Sequence, residues 1–232
     1  MHQRRIEFGK WWLELDRILH SSSSESHQWH KTFPIVVLFG GGVGASMGSF
    51  LWVTRQKGLS ECWQQMFYSG IKVPLLLAAT FVISVPSFYV INSLLGLSSD
   101  FSKAINHIVL SQATMCIVLL SLMPLVMLYY FSCGTSSTEY RLAVLLNTVC
   151  FAISSIAAQF NLRRIYQPLI ARNPSHRKMI WVWSFVYAMV GIQMAWVFRP
   201  FVGSPNQTTT FFRKESWDNA YLKMLEIVCG VF

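Results

Sequence analysis

Five long apolar stretches constrain this chain more than any other feature. Apart from Arg141 at the edge of one, they contain no Asp, Glu, Lys or Arg. The stretches are continuous rather than alternating, which indicates helices and not barrel strands, and each has roughly the 20 helical residues that cross a ~30 Å hydrocarbon core. Transmembrane helices are therefore predicted at residues 34–53, 73–97, 106–131, 141–162 and 179–198.

The composition places most of the chain in a membrane. Of its 232 residues, 53% are hydrophobic and only 12% are charged. A single soluble core cannot remove that much apolar surface from water, so lipid must cover part of it. We therefore predict an all-α polytopic membrane protein, whose five-helix transmembrane domain occupies residues 34–198 and leaves no room for a large soluble domain.

The segments on either side of this domain are amphipathic. Residues 1–20 carry apolar side chains at three- and four-residue steps, including Phe8 and Leu15, and are predicted to form a helix on the membrane surface. A partner-binding helix is the alternative. A flexible Ser-rich linker at 21–33 follows, and the tail at 199–232 is predicted to contain a short interfacial helix on the outer side.

One loop between predicted helices is strongly basic, with five positive residues and no acidic one. Because positively charged loops are retained in the cytoplasm, this loop and the amino terminus are predicted to be cytoplasmic, and the carboxyl terminus to be outside. The loop is also a candidate site for anionic lipid head groups or an acidic partner, at about 1 kcal/mol per charge near an anionic surface. Its basic residues are Arg163, Arg164, Arg172, Arg177 and Lys178.

The net charge of +9 does not indicate a nucleic-acid partner. The positive charges are spread over both predicted membrane faces and flank the helices, as the positive-inside rule alone requires. The expected partners are the lipid bilayer and other membrane protein subunits.

The first predicted helix has a face that is nearly free of side chains. Gly40, Gly44 and Gly48 recur along it at four-residue spacing. Small residues at this spacing let two helix backbones approach closely, which is a common packing mode in membranes. The stripe is predicted to be a helix-packing interface, with another helix of the same chain or another subunit as its partner.

A few uncharged polar residues lie inside the predicted helices. Each is able to form an interhelical hydrogen bond worth about 0.6–2 kcal/mol, and holding the bundle together is their expected role. The alternative is that several of them line a path for a polar substrate, next to helix bends at Pro86 and Pro124. The residues are Asn92, Gln112, Asn147, Gln159 and Gln193.

Catalytic signatures are missing from the sequence. It has no nucleophile elbow, metalloprotease helix motif, phosphate-binding glycine loop or paired carboxylates close to the membrane, so neither catalytic residues nor an enzymatic activity is predicted. His30 and His107 are weak candidates for metal or haem ligands, because no carboxylate or cysteine accompanies them, and no cofactor is expected. A disulfide between Cys62 and Cys133 on the predicted outer side is an open alternative.

Three stretches resemble a group of uncharacterised bacterial membrane proteins with five spans. They are GASMGSF at 44–50, KVPLLLAATFVISVPSFYVINSLLGL at 72–97 and LIARNPSHRKMIWVWSFVYAMVGIQMAWVFRPFVGSP at 169–205. The resemblance implies a location in the bacterial inner membrane and supplies no catalytic residues. In span count and orientation the chain is also loosely similar to the Yip family, whose cytosolic amino terminus contacts small GTPases, but the signature of that segment is missing here.

These observations lead to three functional hypotheses. The first is a non-catalytic scaffold or accessory subunit of a larger membrane complex, which the lack of buried charge and the small-residue face favour. The second is a channel or carrier for a neutral or lipid-like solute. The third is a cofactor-bearing subunit of an electron-transfer complex, with His30 and His107 as ligands.

Overall fold

The computed structural model describes residues 29–134 and 136–213, with side chains from Thr32 onward. Most of these residues are helical and none is in a strand, and five helices are long and apolar enough to cross a membrane, which confirms the predicted fold class. The surface helix predicted at 1–20 and the interfacial helix predicted after residue 213 lie outside the described residues. The helices are α1 Trp29–Gly48, α2 Phe50–Val53, α3 Leu59–Leu94, α4 Phe101–Ser132, α5 Ser137–Ile165, α6 Gln167–Arg172 and α7 Ser175–Val197, with a 3-10 turn at Ser98–Asp100.

The main difference from the sequence prediction is the length of α3. It begins at Leu59, whereas the predicted second span begins at residue 73. In its extra turns, polar and small side chains face the bundle and large apolar side chains face outward. The buried set is Cys62, Gln65, Ser69 and Lys72, and the exposed set is Leu59, Trp63, Phe67 and Ile71. The mean hydropathy of such a mixed segment is low, so it is predicted as a loop. Both sets nevertheless recur at the three- and four-residue spacing of a helix.

Lys72 corrects the expectation that the membrane helices contain no buried charge. It lies just before the predicted span at 73–97, but it is inside α3 and completely buried. The sequence prediction misses it because a basic residue at the edge of an apolar run normally marks the membrane surface.

Two smaller predictions also differ from the structure. Cys62 and Cys133 are both free thiols, so the alternative of a disulfide between them is wrong. α1 includes residues 29–33, which the sequence prediction assigned to the Ser-rich linker at 21–33.

The long helices run alternately in opposite directions around α1. α1 lies between α3 and α4, while α5 packs on α4 and α7 packs on α3. One end of the bundle, called the basic end, contains the turns at 95–100 and 166–174. The other end, called the strap end, contains the turns that follow α2 and α4 and a non-helical segment at 198–213, called the strap. Residues that are distant in sequence meet at both ends.

Large aromatic side chains pack at both ends of the bundle. At the strap end, Phe50 and Tyr130 meet edge to face with 5.0 Å between ring centroids. At the basic end, the rings of Phe88 and Trp183 lie 5.1 Å apart. Such pairs contribute about 0.5–1.5 kcal/mol beyond the area they bury, so each end has its own packed core.

The small-residue stripe of α1 is used within the chain. α1 lies so close to α3 that a Cβ atom at Gly44 would overlap the carbonyl oxygen of Ser69, and one at Gly48 would come within 2.8 Å of the carbonyl oxygen of Gln65. Gly40, nearer the basic end, is less crowded. Of the two partners considered from the sequence, the glycines therefore contact another helix of the same chain.

Gly44→Ala is expected to destabilise the bundle by about 1–3 kcal/mol, because the added methyl group must push α1 and α3 apart. Thermal unfolding in a mild detergent, followed by tryptophan fluorescence, should show this as a lower Tm. Gly42→Ala is the matched control, because a Cβ atom there would meet only a Leu120 methyl group at 3.8 Å. Equal Tm values for the two variants would contradict the close α1–α3 contact.

Candidate functional site at the basic end

Two of the predicted intramembrane polar residues are hydrogen-bonded across helices. Gln112 on α4 donates to the backbone carbonyl of Leu77 on α3 at 3.1 Å and to the hydroxyl of Tyr187 on α7. Asn147 on α5 donates to the hydroxyl of Tyr130 on α4 at 2.7 Å. Both amide side chains therefore link neighbouring helices.

The remaining predicted polar residues have different surroundings. Gln159 on α5 accepts a hydrogen bond from the Ser184 hydroxyl on α7 at 2.6 Å. Gln193 on α7 is partly buried and also has an interaction partner. Asn92 donates to the Phe88 carbonyl of its own helix, and its buried Oδ1 has no hydrogen-bond partner in the described chain. Most of these contacts agree with a bundle-holding role rather than with a lined path.

Tyr166 is the centre of a ring cluster at the basic end. It is fully buried at the point where α5 ends. Pro168 follows in the first turn of α6, where a backbone N–H has no helical acceptor, so the proline costs no hydrogen bond. Three rings meet it edge to face. The centroid distances are 5.5 Å to His107 from α4, and 5.6 Å to His176 and 6.0 Å to Trp183 from α7.

The polar atoms of this cluster are buried without hydrogen-bond partners in the described chain. They are Tyr166 Oη, Trp183 Nε1, His107 Nδ1 and both ring nitrogens of His176. Because protein interiors pair the large majority of such atoms, a group of this size marks a place for water molecules or for the polar part of a ligand. Of these four residues, only His107 was a candidate site residue from the sequence, because the cluster forms only when α4, α5 and α7 pack together.

Asp100 supplies a negative charge at the edge of the cluster. One carboxylate oxygen lies 3.2 Å from Lys103 Nζ, and the other lies 3.5 Å from His176 Nε2, a contact that is electrostatic rather than a hydrogen bond. Burial raises the pKa of the Tyr166 phenol above its ordinary value, and the Asp100 carboxylate raises it further. The Tyr166 hydroxyl is therefore protonated at neutral pH and is able to donate a hydrogen bond.

The two histidines considered as metal ligands have separate outcomes. The His30 side chain lies outside the described residues, and His107 packs against Tyr166. Within the described chain, no group of three or more His, Cys, Asp or Glu side chains is placed to hold a metal ion. The metal hypothesis stays a prediction from the sequence alone.

The five basic residues of the predicted cytoplasmic loop surround this end. None of them forms an ion pair with another described residue. Arg163 is partly buried, and its guanidinium carbon lies 4.1 Å from the centre of the Trp181 ring. The exposed members are Arg164, Arg172, Arg177 and Lys178.

A second polar site, which the sequence analysis missed, ties the strap to α3. Lys72 Nζ donates to the Pro200 carbonyl at 2.8 Å. Ser69 Oγ donates to the Phe201 carbonyl at 2.6 Å, and Gln65 Nε2 donates to the same carbonyl at 3.3 Å. Three polar side chains on one helix face therefore satisfy strap carbonyls, and their three- and four-residue spacing was the available signal.

No known protein family, curated protein or solved structure matches this chain. The similarity to bacterial five-span proteins and to the Yip family therefore stays a prediction from the sequence. The geometry of the bundle carries the functional argument.

Lys72→Met is expected to loosen the strap, because the Pro200 carbonyl would lose its buried donor, at a cost of about 1–3 kcal/mol. Hydrogen exchange measured by mass spectrometry should show faster exchange in residues 198–213 and little change in α5. Lys103→Met is the control, because that exposed lysine pairs with Asp100 at the opposite end. An unchanged hydrogen-exchange rate of the strap in the Lys72→Met variant would contradict a stabilising role for the bond between Lys72 and Pro200.

Proposed function

We propose that this chain is a non-catalytic scaffold or accessory subunit of a larger membrane complex. The length of α3 is the observation that carries this proposal. Its 36 residues extend about 54 Å at ~1.5 Å per residue. Even at a tilt of about 40°, the upper end of the usual range, α3 would cover about 41 Å along the membrane normal. At least one end of α3 therefore extends beyond a hydrocarbon core of about 30 Å.

α3 presents large apolar side chains near the strap end. Leu59, Trp63 and Phe67 are 66%, 60% and 67% exposed, and their four-residue spacing puts them on one face. Apolar surface that is exposed outside the hydrocarbon core is a common mark of a protein contact. The opposite face of the same turns is bonded to the strap, so the apolar face has a fixed position. An apolar helix of a partner subunit would cover it.

The proposed orientation puts the basic end in the cytoplasm and the strap end outside, in a bacterial inner membrane. The five basic residues within the loop at 163–178 support this orientation through the positive-inside rule. The partner contact would then lie near the outer surface.

The double variant Trp63→Ala/Phe67→Ala tests the scaffold proposal. In a mild-detergent purification from native membranes with mass spectrometry, the wild type should carry stoichiometric companion proteins and the variant should lose them. Leu128→Ala/Phe131→Ala is the matched control, because these side chains are 67% and 72% exposed but lie on α4. A wild type that is strictly monomeric, or equal losses in the two variants, would count against the proposal.

A second candidate function is the binding or carriage of a neutral or lipid-like solute. The unpartnered polar atoms around Tyr166 favour it, because a bound solute would supply the missing hydrogen-bond partners. Tyr166 Oη and Trp183 Nε1 are both able to donate, so they suit a solute with acceptor oxygens.

Tyr166→Phe separates an occupied site from an empty one. If a solute or water bonds to the hydroxyl, its removal should destabilise the protein by about 1 kcal/mol, whereas removal of an unpaired buried hydroxyl should stabilise it. Tyr130→Phe calibrates the Tm change for one lost bond, because that hydroxyl accepts from Asn147. A Tyr166→Phe protein with a higher Tm than the wild type would argue against solute binding.

A further inference from the structure

Side chains bridge the gap between α5 and α7 at the basic end, which is called the seam. These two helices are not among the closely packed pairs of the described chain. Ser184 instead donates to Gln159 across the seam, and one turn nearer the basic end the Arg163 guanidinium stacks on the Trp181 ring. The Arg163–Trp181 pair therefore connects α5 and α7 at the basic end.

Arg163 has hydrogen-bond donors that the described chain does not use. Its Nε atom is buried without a hydrogen-bond partner, and its specific contact within the described residues is the ring of Trp181. A guanidinium group has five N–H donors in one plane. The ring fixes the orientation of that plane without satisfying the donors, so they have no acceptor among the described residues.

A second arginine projects from the face of α7 that carries Trp181. Arg177 is exposed and precedes Trp181 by four residues, so both project from one face of α7. Ser184, which contacts α5, is on this face as well. Asp100, the one described acid at the basic end, is already in contact with a lysine and a histidine and so does not neutralise the arginines.

We propose that the phosphate group of an anionic phospholipid binds between Arg163 and Arg177, beside Trp181. Planar guanidinium groups donate paired hydrogen bonds to phosphate oxygens. Phe160 and Phe185 lie one turn farther from the basic end, and both are 66% exposed. They offer apolar surface to acyl chains, and phosphate and hydrocarbon contacts side by side suit a lipid rather than free phosphate.

This site differs from general attraction to an anionic surface. Exposed Arg164, Arg172 and Lys178 attract such a surface through long-range charge, and similarly to one another. The proposed site depends instead on Arg163 and on the ring of Trp181. Lipid binding needs no partner subunit, so its failure would leave the scaffold proposal standing.

Native mass spectrometry of the full chain in mild detergent tests the site, with titrations of phosphatidylglycerol and phosphatidylcholine. Arg163→Gln and Trp181→Leu should each weaken phosphatidylglycerol binding about tenfold, as expected for the loss of a charge-assisted contact. Arg172→Gln removes the same charge and should change binding less than about twofold. Arg163→Lys should also weaken binding, because an ammonium group lacks the planar fork. Trp181→Phe keeps a ring and should retain binding.

Three results would overturn the proposal. Equal weakening by Arg163→Gln and Arg172→Gln would indicate diffuse attraction. Equal affinity for the two lipids would remove the requirement for an anion. Displacement of phosphatidylglycerol by millimolar inorganic phosphate would indicate that the natural ligand is a soluble phosphate. Retention of phosphatidylglycerol under these conditions would support an anionic phospholipid as the ligand.

Discussion

The close approach of α1 and α3 is the contact on which the rest of the structure depends. Because Gly44 and Gly48 have no side chains, the α3 backbone at Ser69 and Gln65 lies directly against α1. This contact brings the polar face of α3 into the bundle, where it meets the strap. Lys72 on that face is then buried beside backbone carbonyls rather than in lipid.

Buried polar groups have different partners at three levels of the bundle. At the strap end they bond to backbone carbonyls, and in the middle they bond across helices. At the basic end the rings around Tyr166 leave buried polar atoms without partners in the described chain. Unpaired buried groups are costly in a low-dielectric interior, so a ligand or water is most strongly required there.

The sequence predicts the number and type of membrane helices because hydropathy sums over roughly 20 residues and hardly depends on any single neighbour. The mid-span amides are also predictable, since a polar side chain in an apolar helix has few ways to be satisfied other than an interhelical bond. The start of α3 is not predicted, because Gln65, Ser69 and Lys72 lower the local hydropathy while facing inward. Tyr166 and Trp183 meet only after different helices pack, so no spacing encodes their contact.

The bond between Lys72 and the strap has a consequence for biogenesis. The two partners lie 128 residues apart in the chain. At a synthesis rate of about 5–20 residues per second, roughly 6–26 s separate the emergence of the ammonium group from that of its carbonyl acceptor. During this interval the ammonium group lacks the carbonyl that it bonds to in the folded structure. Because Pro200 follows the last residue of α7, the strap can be fastened to α3 only after all five membrane helices have been made.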